Sequence, residues 1–108
     1  MRYLLLVCVD PDIQADERDS DIQDWFDEID RHGSRLIGDQ LEEPRGARSV
    51  RVRNGAIVTT DGPFAETKEF VAGFDVIECD DLETAVAIAA KHPVARFGAI
   101  EVRAFWKG

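Results

Sequence analysis

The segment YLLLVCV, residues 3–9, is apolar at every position and constrains the fold more than any other stretch of the chain. A strand with one solvent-exposed face alternates apolar and polar side chains, so a run without alternation indicates a strand covered on both faces. We therefore expect residues 3–9 in the middle of a sheet. Acids and a proline follow at once, and the run is far shorter than the roughly 20 residues of a membrane span, so it predicts neither a signal peptide nor a membrane anchor.

Composition limits the class of protein. The 108 residues, 44% of them hydrophobic, are typical of one globular domain that spans residues 1–108. The net charge of −9 would repel a phosphate backbone or an anionic lipid surface, so we expect no nucleic-acid or membrane partner. Cys8 and Cys79 form no C-x-x-C pair, which favours reduced thiols in a cytoplasmic protein and leaves a disulfide between them open.

Two segments have the periodicity of amphipathic helices. In the first, Ser20 and Gln23 form a capping box, and apolar residues recur at helical spacing until Gly33. The second begins in the acids at Asp80 and ends at Lys91, His92 and Pro93. The apolar stripes predicted to be buried are Ile22, Trp25, Phe26 and Ile29 in the first helix, and Leu82, Ala85, Val86 and Ala89 in the second.

The remaining segments predict strands. Residues 35–43 indicate a short strand or extended arm, and Asn54-Gly55 favours a type I′ hairpin turn with Ile57 opposite Val52. Residues 69–79 and 98–106 alternate as strands. In the first of these, the alternation places Phe70, Ala72, Phe74 and Val76 on one face and Val71, Asp75 and Ile77 on the other. The predicted order is strand, helix, strand, hairpin, strand, helix, strand, which is an α+β fold.

One face of such a sheet has no cover within the chain. Two helices can cover only one face, yet Phe70, Phe74, Phe105 and Trp106 cannot all lie beneath them. A second copy packed face to face across a two-fold axis would bury the other face. We therefore expect a homodimer.

The segment DGPFAETKE, residues 61–69, combines a turn with a cluster of charges. Asp61 favours an Asx turn, Pro63 fixes φ, and Phe64 suits an apolar anchor that holds the loop to the fold. These features are explained by structure alone. The charges that include Glu66 and Lys68 suit either a solvated loop or the edge of an active site.

DGPFAETKE, followed by AGFDVIEC and HPVARFGAIEVR, closely resembles the DGPF branch of the YCII-related proteins. The resemblance is tight over residues 48–106 and loose over the first strand and helix. It implies a ferredoxin-like subunit with an antiparallel sheet that dimerises into an α+β barrel. Most members have no established reaction, some are encoded beside or fused to sigma factors, and related barrels include a dehydrochlorinase and muconolactone isomerases.

The leading hypothesis is a small-molecule cavity beside the sheet with proton-transfer or elimination chemistry. His92, Asp61 and Asp21 are the candidate catalytic residues, and Lys68, Arg103 and Phe64 the candidate substrate-binding residues. The resemblance implies a His on the first helix and an Asp before the proline that ends the second. Here the types look exchanged, with His92 at the second position. A nearby carboxylate would raise the imidazole pKa as a general base requires, whereas the structural alternative is a helix cap.

Other chemistries have weaker support in the sequence. His32 and His92 lack metal-ligand spacing, and no glycine-rich phosphate loop or G-x-S-x-G motif is present, so we predict no metal and no cofactor. Arg51 and Arg53 favour a solvated hairpin face over an anion clamp. The rival to an enzyme is a non-catalytic ligand sensor or an interaction module associated with a sigma factor.

Overall fold

The computed structural model describes residues 1–13, 19–63 and 68–108, with only the backbone at 19–21. The elements follow the predicted order: β1 (Arg2–Val9), α1 (Asp19–His32), β2 (Ser34–Gln40), β3 (Arg48–Arg53), β4 (Ala56–Asp61), β5 (Phe70–Glu78), α2 (Leu82–Ala90) and β6 (Ala99–Ala104). Short 3-10 helices lie at Pro44–Gly46 and Pro93–Arg96. The α+β class is confirmed.

Four strands form one antiparallel sheet in the order β2-β5-β1-β6. β1 is an inner strand, as its unbroken apolar run predicts. Its odd-numbered residues face the helices, because Tyr3 and Leu5 belong to the buried core while Leu4 and Leu6 remain half-buried on the other face. This arrangement is consistent with a ferredoxin-like subunit.

The two helices cover the helix-side face and close the core. Trp25 and Ile29 of α1 are buried there, and the indole N–H of Trp25 donates to the carbonyl oxygen of Ile88 at 2.8 Å. In α2 the buried residues are Ala85, Ile88 and Ala89, whereas Leu82 and Val86 are exposed. The predicted stripe of α2 was therefore wrong at these two positions, because the helix is rotated to place Ile88 in the core.

The capping of α2 follows from its first residues. The Asp81 carboxylate accepts from the backbone N–H of Thr84 at 2.8 Å and from its hydroxyl at 2.6 Å, and these hydrogen bonds lower the pKa of Asp81. Neither α1 nor α2 is long and apolar enough to span a membrane, and the same holds for the rest of the described chain.

A β-bulge in β5 changes which side chains face the helices. Val7 lies opposite Gly73 but Cys8 lies opposite Val71, so Ala72 is an additional residue in this strand. Val71 consequently shares a face with Cys8, and Phe70 turns to the helix side with Val9. The sequence-based alternation had assigned both residues to the opposite faces.

The second face of the sheet, which we call the open face, carries mostly apolar side chains. Its apolar members include Leu4, Leu6, Cys8, Ile37, Val71, Phe74 and Val76, and its charged members include Arg2, Asp39, Glu78, Glu101 and Arg103. No helix or strand in the described part of the chain packs across it. Cys8 lies on this face and Cys79 in the helix-side core, so the sheet separates the two cysteines, and both are free thiols.

The hairpin β3–β4 forms a two-stranded sheet of its own. Asn54 has φ of 52° and Gly55 φ of 78°, as a type I′ turn requires, and Ile57 lies opposite Val52. Both sequence-based predictions are confirmed. At its base, the N–H of Gly62 donates to the carbonyl oxygen of Ala47 at 2.8 Å, and Gly62 has φ of 91°, a conformation that favours glycine.

Candidate functional site

A cavity of about 700 Å³ lies between α1 and the helix-side face of the sheet. Its walls are mostly apolar and aromatic, and they come from the ends of β1 and β2, the start of β5, α1 and the segment after α2. The apolar lining includes Val7, Val9, Ile22, Trp25, Phe26, Phe70 and Phe97, and the polar lining includes Asp10, Arg35, Asp75 and His92. An apolar cavity with a few polar groups is typical of a small-molecule site.

The principal polar feature of this cavity is an ion pair between neighbouring strands. Arg35 Nε on β2 lies 2.6 Å from Asp75 Oδ1 on β5, and Asp75 is only 6% exposed. Burial raises the pKa of Asp75, although the hydrogen bond and positive charge of Arg35 act in the opposite direction. A carboxyl with a raised pKa in a cavity is suited to exchanging a proton with a ligand.

Arg35 is held in place by an aromatic ring. Its guanidinium carbon lies 4.8 Å from the centre of the Phe26 ring on α1, which is within the range of a cation–π contact. Among the described residues, Asp75 is the only carboxylate that pairs with Arg35, and it engages Nε. The terminal guanidinium nitrogens are the donors best suited to meet a ligand.

Gly38 provides the space that this ion pair occupies. It lies opposite Asp75 in the β2–β5 register. A Cβ at this position would overlap Asp75 Oδ1 and lie 2.7 Å from the carbonyl oxygen of Phe74. Because Gly38 has no side chain, the buried Asp75 carboxylate of β5 can extend over β2 at this position.

We expect Gly38→Ala to destabilise the protein by about 1–3 kcal/mol, because the Phe74 backbone cannot move away without disturbing the sheet. Gly46→Ala is the matched control, since an added Cβ meets nothing within 4 Å there. Urea unfolding of both variants checks the prediction. Equal stability of the two variants would contradict this role of Gly38.

His92 lies in the cavity wall and caps the 3-10 helix that follows it. Its Nδ1 accepts from the backbone N–H of Val94 at 3.0 Å, so the neutral ring carries its hydrogen on Nε2. The ring packs edge-on against Trp25 with centroids 4.5 Å apart. Burial lowers the pKa of His92 to about 4. The imidazole is therefore neutral at pH 7 and can donate a hydrogen bond from Nε2.

This result corrects one expectation. A carboxylate was expected to raise the pKa of His92, but burial lowers it instead. The cap also belongs to the 3-10 helix Pro93–Arg96 and not to the C-terminus of α2. The catalytic role of His92 stays a prediction.

Asp10 lies buried at the end of β1, where it lines the cavity. Its Oδ1 accepts from the backbone N–H of Asp12 at 2.9 Å, and its Oδ2 lies 3.4 Å from the ammonium of Lys68. Lys68, a predicted binding residue, is thus connected to the cavity through Asp10. The Asp10–Lys68 pair therefore lies at one end of the cavity, and each oxygen of the Asp10 carboxylate has a partner.

Asp61 and Arg103, two further predicted site residues, do not line this cavity. Asp61 is exposed on the hairpin, where its Oδ1 lies 3.1 Å from Arg48 Nε. Arg103 lies opposite Leu4 in the β1–β6 register and therefore on the open face. Asp21 belongs to α1, but its side chain lies outside the description, and Phe64 lies outside the described residues. Their proposed roles stay predictions.

Sequence reasoning missed Arg35, Asp75 and Asp10. Asp75 had a signal, because it is an acid in an otherwise apolar strand and shares a face with the buried Ile77. Arg35 had none, since its partner lies 40 residues away in sequence. A buried acid in a strand requires a partner, and here the fold supplies it from the neighbouring strand.

Comparison with known proteins adds the family. The YCII-related domain matches residues 1–107. An uncharacterised protein of Rhizobium meliloti (strain 1021) is 44% identical over 50 residues, which cover 46% of this chain and 40% of that relative. The match therefore spans less than half of the relative's length. Because the domain match covers nearly the whole chain, the protein belongs to the YCII-related family.

Proposed function

We propose that the protein binds a small molecule in the cavity beside α1 and exchanges a proton with it through Asp75. The observation that carries the proposal is the ion pair between Arg35 and the buried Asp75, which lies in an apolar, aromatic lining. A volume of about 700 Å³ suits a metabolite-sized ligand.

The lining favours a ligand with an apolar body and a polar acceptor. Trp25, Phe26 and Phe70 would contact the body of the ligand. The terminal nitrogens of Arg35 and the Nε2–H of His92 would supply donors to a carbonyl or hydroxyl oxygen. A hydroxylated ketone or lactone has this combination of groups.

The proposed chemistry is proton transfer next to a carbonyl group. The ionised Asp75 takes a proton from the carbon adjacent to the carbonyl, the C–H electron pair forms a C=C bond, and the π pair of the carbonyl moves to its oxygen, where Arg35 stabilises the resulting enolate. In a ligand with a hydroxyl on the deprotonated carbon, the hydroxyl proton passes to the enolate oxygen, the hydroxyl oxygen forms the new C=O bond, and the neutral Asp75 returns its proton to the former carbonyl carbon, which gives isomerisation. If the next carbon carries a leaving group, the enolate re-forms its C=O bond, the C=C pair forms a new C=C bond to that carbon, and the leaving group departs with its own bonding pair, which gives elimination and leaves the proton on Asp75.

A thermal-shift screen against hydroxylated and lactone-type metabolites tests the binding step, because a ligand that binds the folded state raises its apparent stability. We expect Arg35→Met to lose the shift that a hit produces. Asp75→Asn should retain binding while turnover of that hit falls by about 10²–10⁴-fold. Glu78→Gln, at the exposed end of the same strand, is the matched control and should behave as wild type.

The results separate three cases. If a hit raises the stability of the Arg35→Met variant as much as that of the wild type, it does not occupy this cavity, and the proposal is then wrong. A hit that binds through Arg35 and never turns over supports the second candidate function, a non-catalytic ligand sensor. The observation in favour of the sensor is that Arg35 and Asp75 already neutralise each other. The DGPFAETKE motif supports the DGPF branch, where a link to a sigma factor would suit a sensor.

We also propose that the protein is a homodimer in which two open faces pack together. The support is the row of apolar side chains, including Leu6, Phe74 and Val76, that no element of the described chain covers. Sheets packed face to face bury such side chains in a common core. The α+β barrel implied by the family resemblance has this arrangement.

A further inference from the structure

We infer that the hairpin β3–β4 is an arm that packs on a second copy of the chain. The hairpin pairs with no strand of the main sheet. The radius of gyration is 15.9 Å, against roughly 13 Å for a compact domain of this length. An extended hairpin of this kind has few contacts of its own to stabilise it, since two strands alone are marginal in water.

The two faces of the arm differ in chemistry. Directly opposed residues share a face, so Val50, Val52 and Ile57 form one apolar face, with Thr59 beside them. All three are more than half exposed, and Ile57 is 76% exposed. The other face carries Arg51, Arg53 and Val58. One face of the arm is thus built to be buried and the other to remain in water.

Charge identifies the occupant as a second copy. The arm carries Arg48, Arg51 and Arg53 against a single acid, Asp61, in a chain whose net charge is −9. The open face carries an acid at its β2 edge, because Asp39 lies opposite Phe74 and two residues from Ile37. A basic arm is attracted to the acidic body of an identical molecule, and this attraction favours homotypic contact over contact with nucleic acid.

The open face offers the apolar surface that the arm requires. Ile37 lies on the edge strand β2, is 60% exposed, and continues the apolar row formed by Leu4 and Val76. We expect the apolar face of each arm to pack at this edge of the second copy. This inference rests on the proposed homodimer but not on any ligand or reaction in the cavity.

Two neighbouring residues on opposite faces provide the test. Ile57→Thr removes apolar surface from the docking face, while Val58→Thr makes the same kind of change on the arginine face, and both keep a strand-forming residue. In a two-fold dimer each substitution occurs twice, so we expect Ile57→Thr to raise the dimer Kd by about 30-fold. Val58→Thr should leave it within about 3-fold. Analytical ultracentrifugation measures both.

A photo-crosslinker at position 57 locates the contact. In dimers mixed from isotopically light and heavy chains, we expect mixed-mass cross-links to the peptide that contains Ile37. Cross-links confined to one chain, or equal effects of the two threonine variants, would overturn the inference while leaving a dimer intact. A monomeric wild type would overturn the dimer and the arm together. Binding of duplex DNA lost with Arg51→Ser, at an unchanged dimer Kd, would assign the arm to nucleic acid instead.

Discussion

Replacing Val71 by aspartate is expected to convert the proposed homodimer into folded monomers. Val71 lies on the open face and is 38% exposed in the single chain, so the subunit can hydrate the new carboxylate. In the dimer the same carboxylate would be buried without a partner, once in each copy. We expect the dimer Kd to rise by at least about 10³-fold. Light scattering at micromolar concentration measures the change in mass.

Val86→Asp is the matched control for this prediction. Val86 lies on the outer surface of α2 and is 51% exposed, so it receives the same change away from the open face. It should remain dimeric. If Val71→Asp also remained dimeric, or if the wild type were a monomer, then the open face would not be the dimer interface.

The strand and helix order could be predicted from the sequence because each element has a local pattern. The apolar run at residues 3–9 placed β1 inside the sheet, and Asn54-Gly55 set the turn and register of the hairpin. These signals arise from neighbouring residues, so no knowledge of the tertiary structure is needed.

The details that tertiary packing sets could not be predicted. The bulge at Ala72 adds one residue to β5 and changes the faces of Phe70 and Val71, yet the sequence still alternates across it. The rotation of α2 that buries Ile88 depends on contact with Trp25. For both β5 and α2, the type of element was predicted correctly, but the face to which individual side chains point was not.

The candidate site was the least accessible part for the same reason. Arg35 and Asp75 meet only because β2 pairs with β5, and Gly38 matters only because it lies opposite Asp75. Sequence reasoning chose Asp61 and Lys68 because they stand out in the DGPF segment, and His92 and Asp21 because of the family resemblance. The pairing of two charged residues from strands that are distant in sequence leaves no local signal.

His92→Asn is expected to make the protein less sensitive to acid. The pKa of His92 is about 4 in the folded state and 6.5 when the side chain is free. Because the folded pKa is the lower one, the unfolded chain takes up the proton first as the pH falls. The stability present above pH 6.5 is then lost progressively until about pH 4, and the full loss is roughly 3 kcal/mol. The asparagine does not titrate, so this loss should disappear.

Asparagine is chosen because its side-chain oxygen can take the place of Nδ1 and accept from the N–H of Val94. The variant loses the ring contact with Trp25, so its stability at pH 7 will be lower. The test is therefore the slope of the free energy of unfolding against pH between 7 and 4, measured by urea titration. His92→Gln should show the same reduced slope from a different starting stability.

Three carboxyl groups also have shifted pKa values, which are lowered for Glu28 and Asp81 and raised for Asp75. The pKa of Glu28 is lowered, first by its hydrogen bond with Lys91, so its contribution is lost as the pH falls. The pKa of Asp75 is raised by burial, so its protonation at low pH favours the folded state. These carboxyl groups are present in both the wild type and the variant, so the difference between the two slopes isolates His92. If the wild type and His92→Asn had identical slopes, the imidazole would be hydrated in the folded state. The proposed role of His92 as a neutral Nε2–H donor in the cavity would then lose its support.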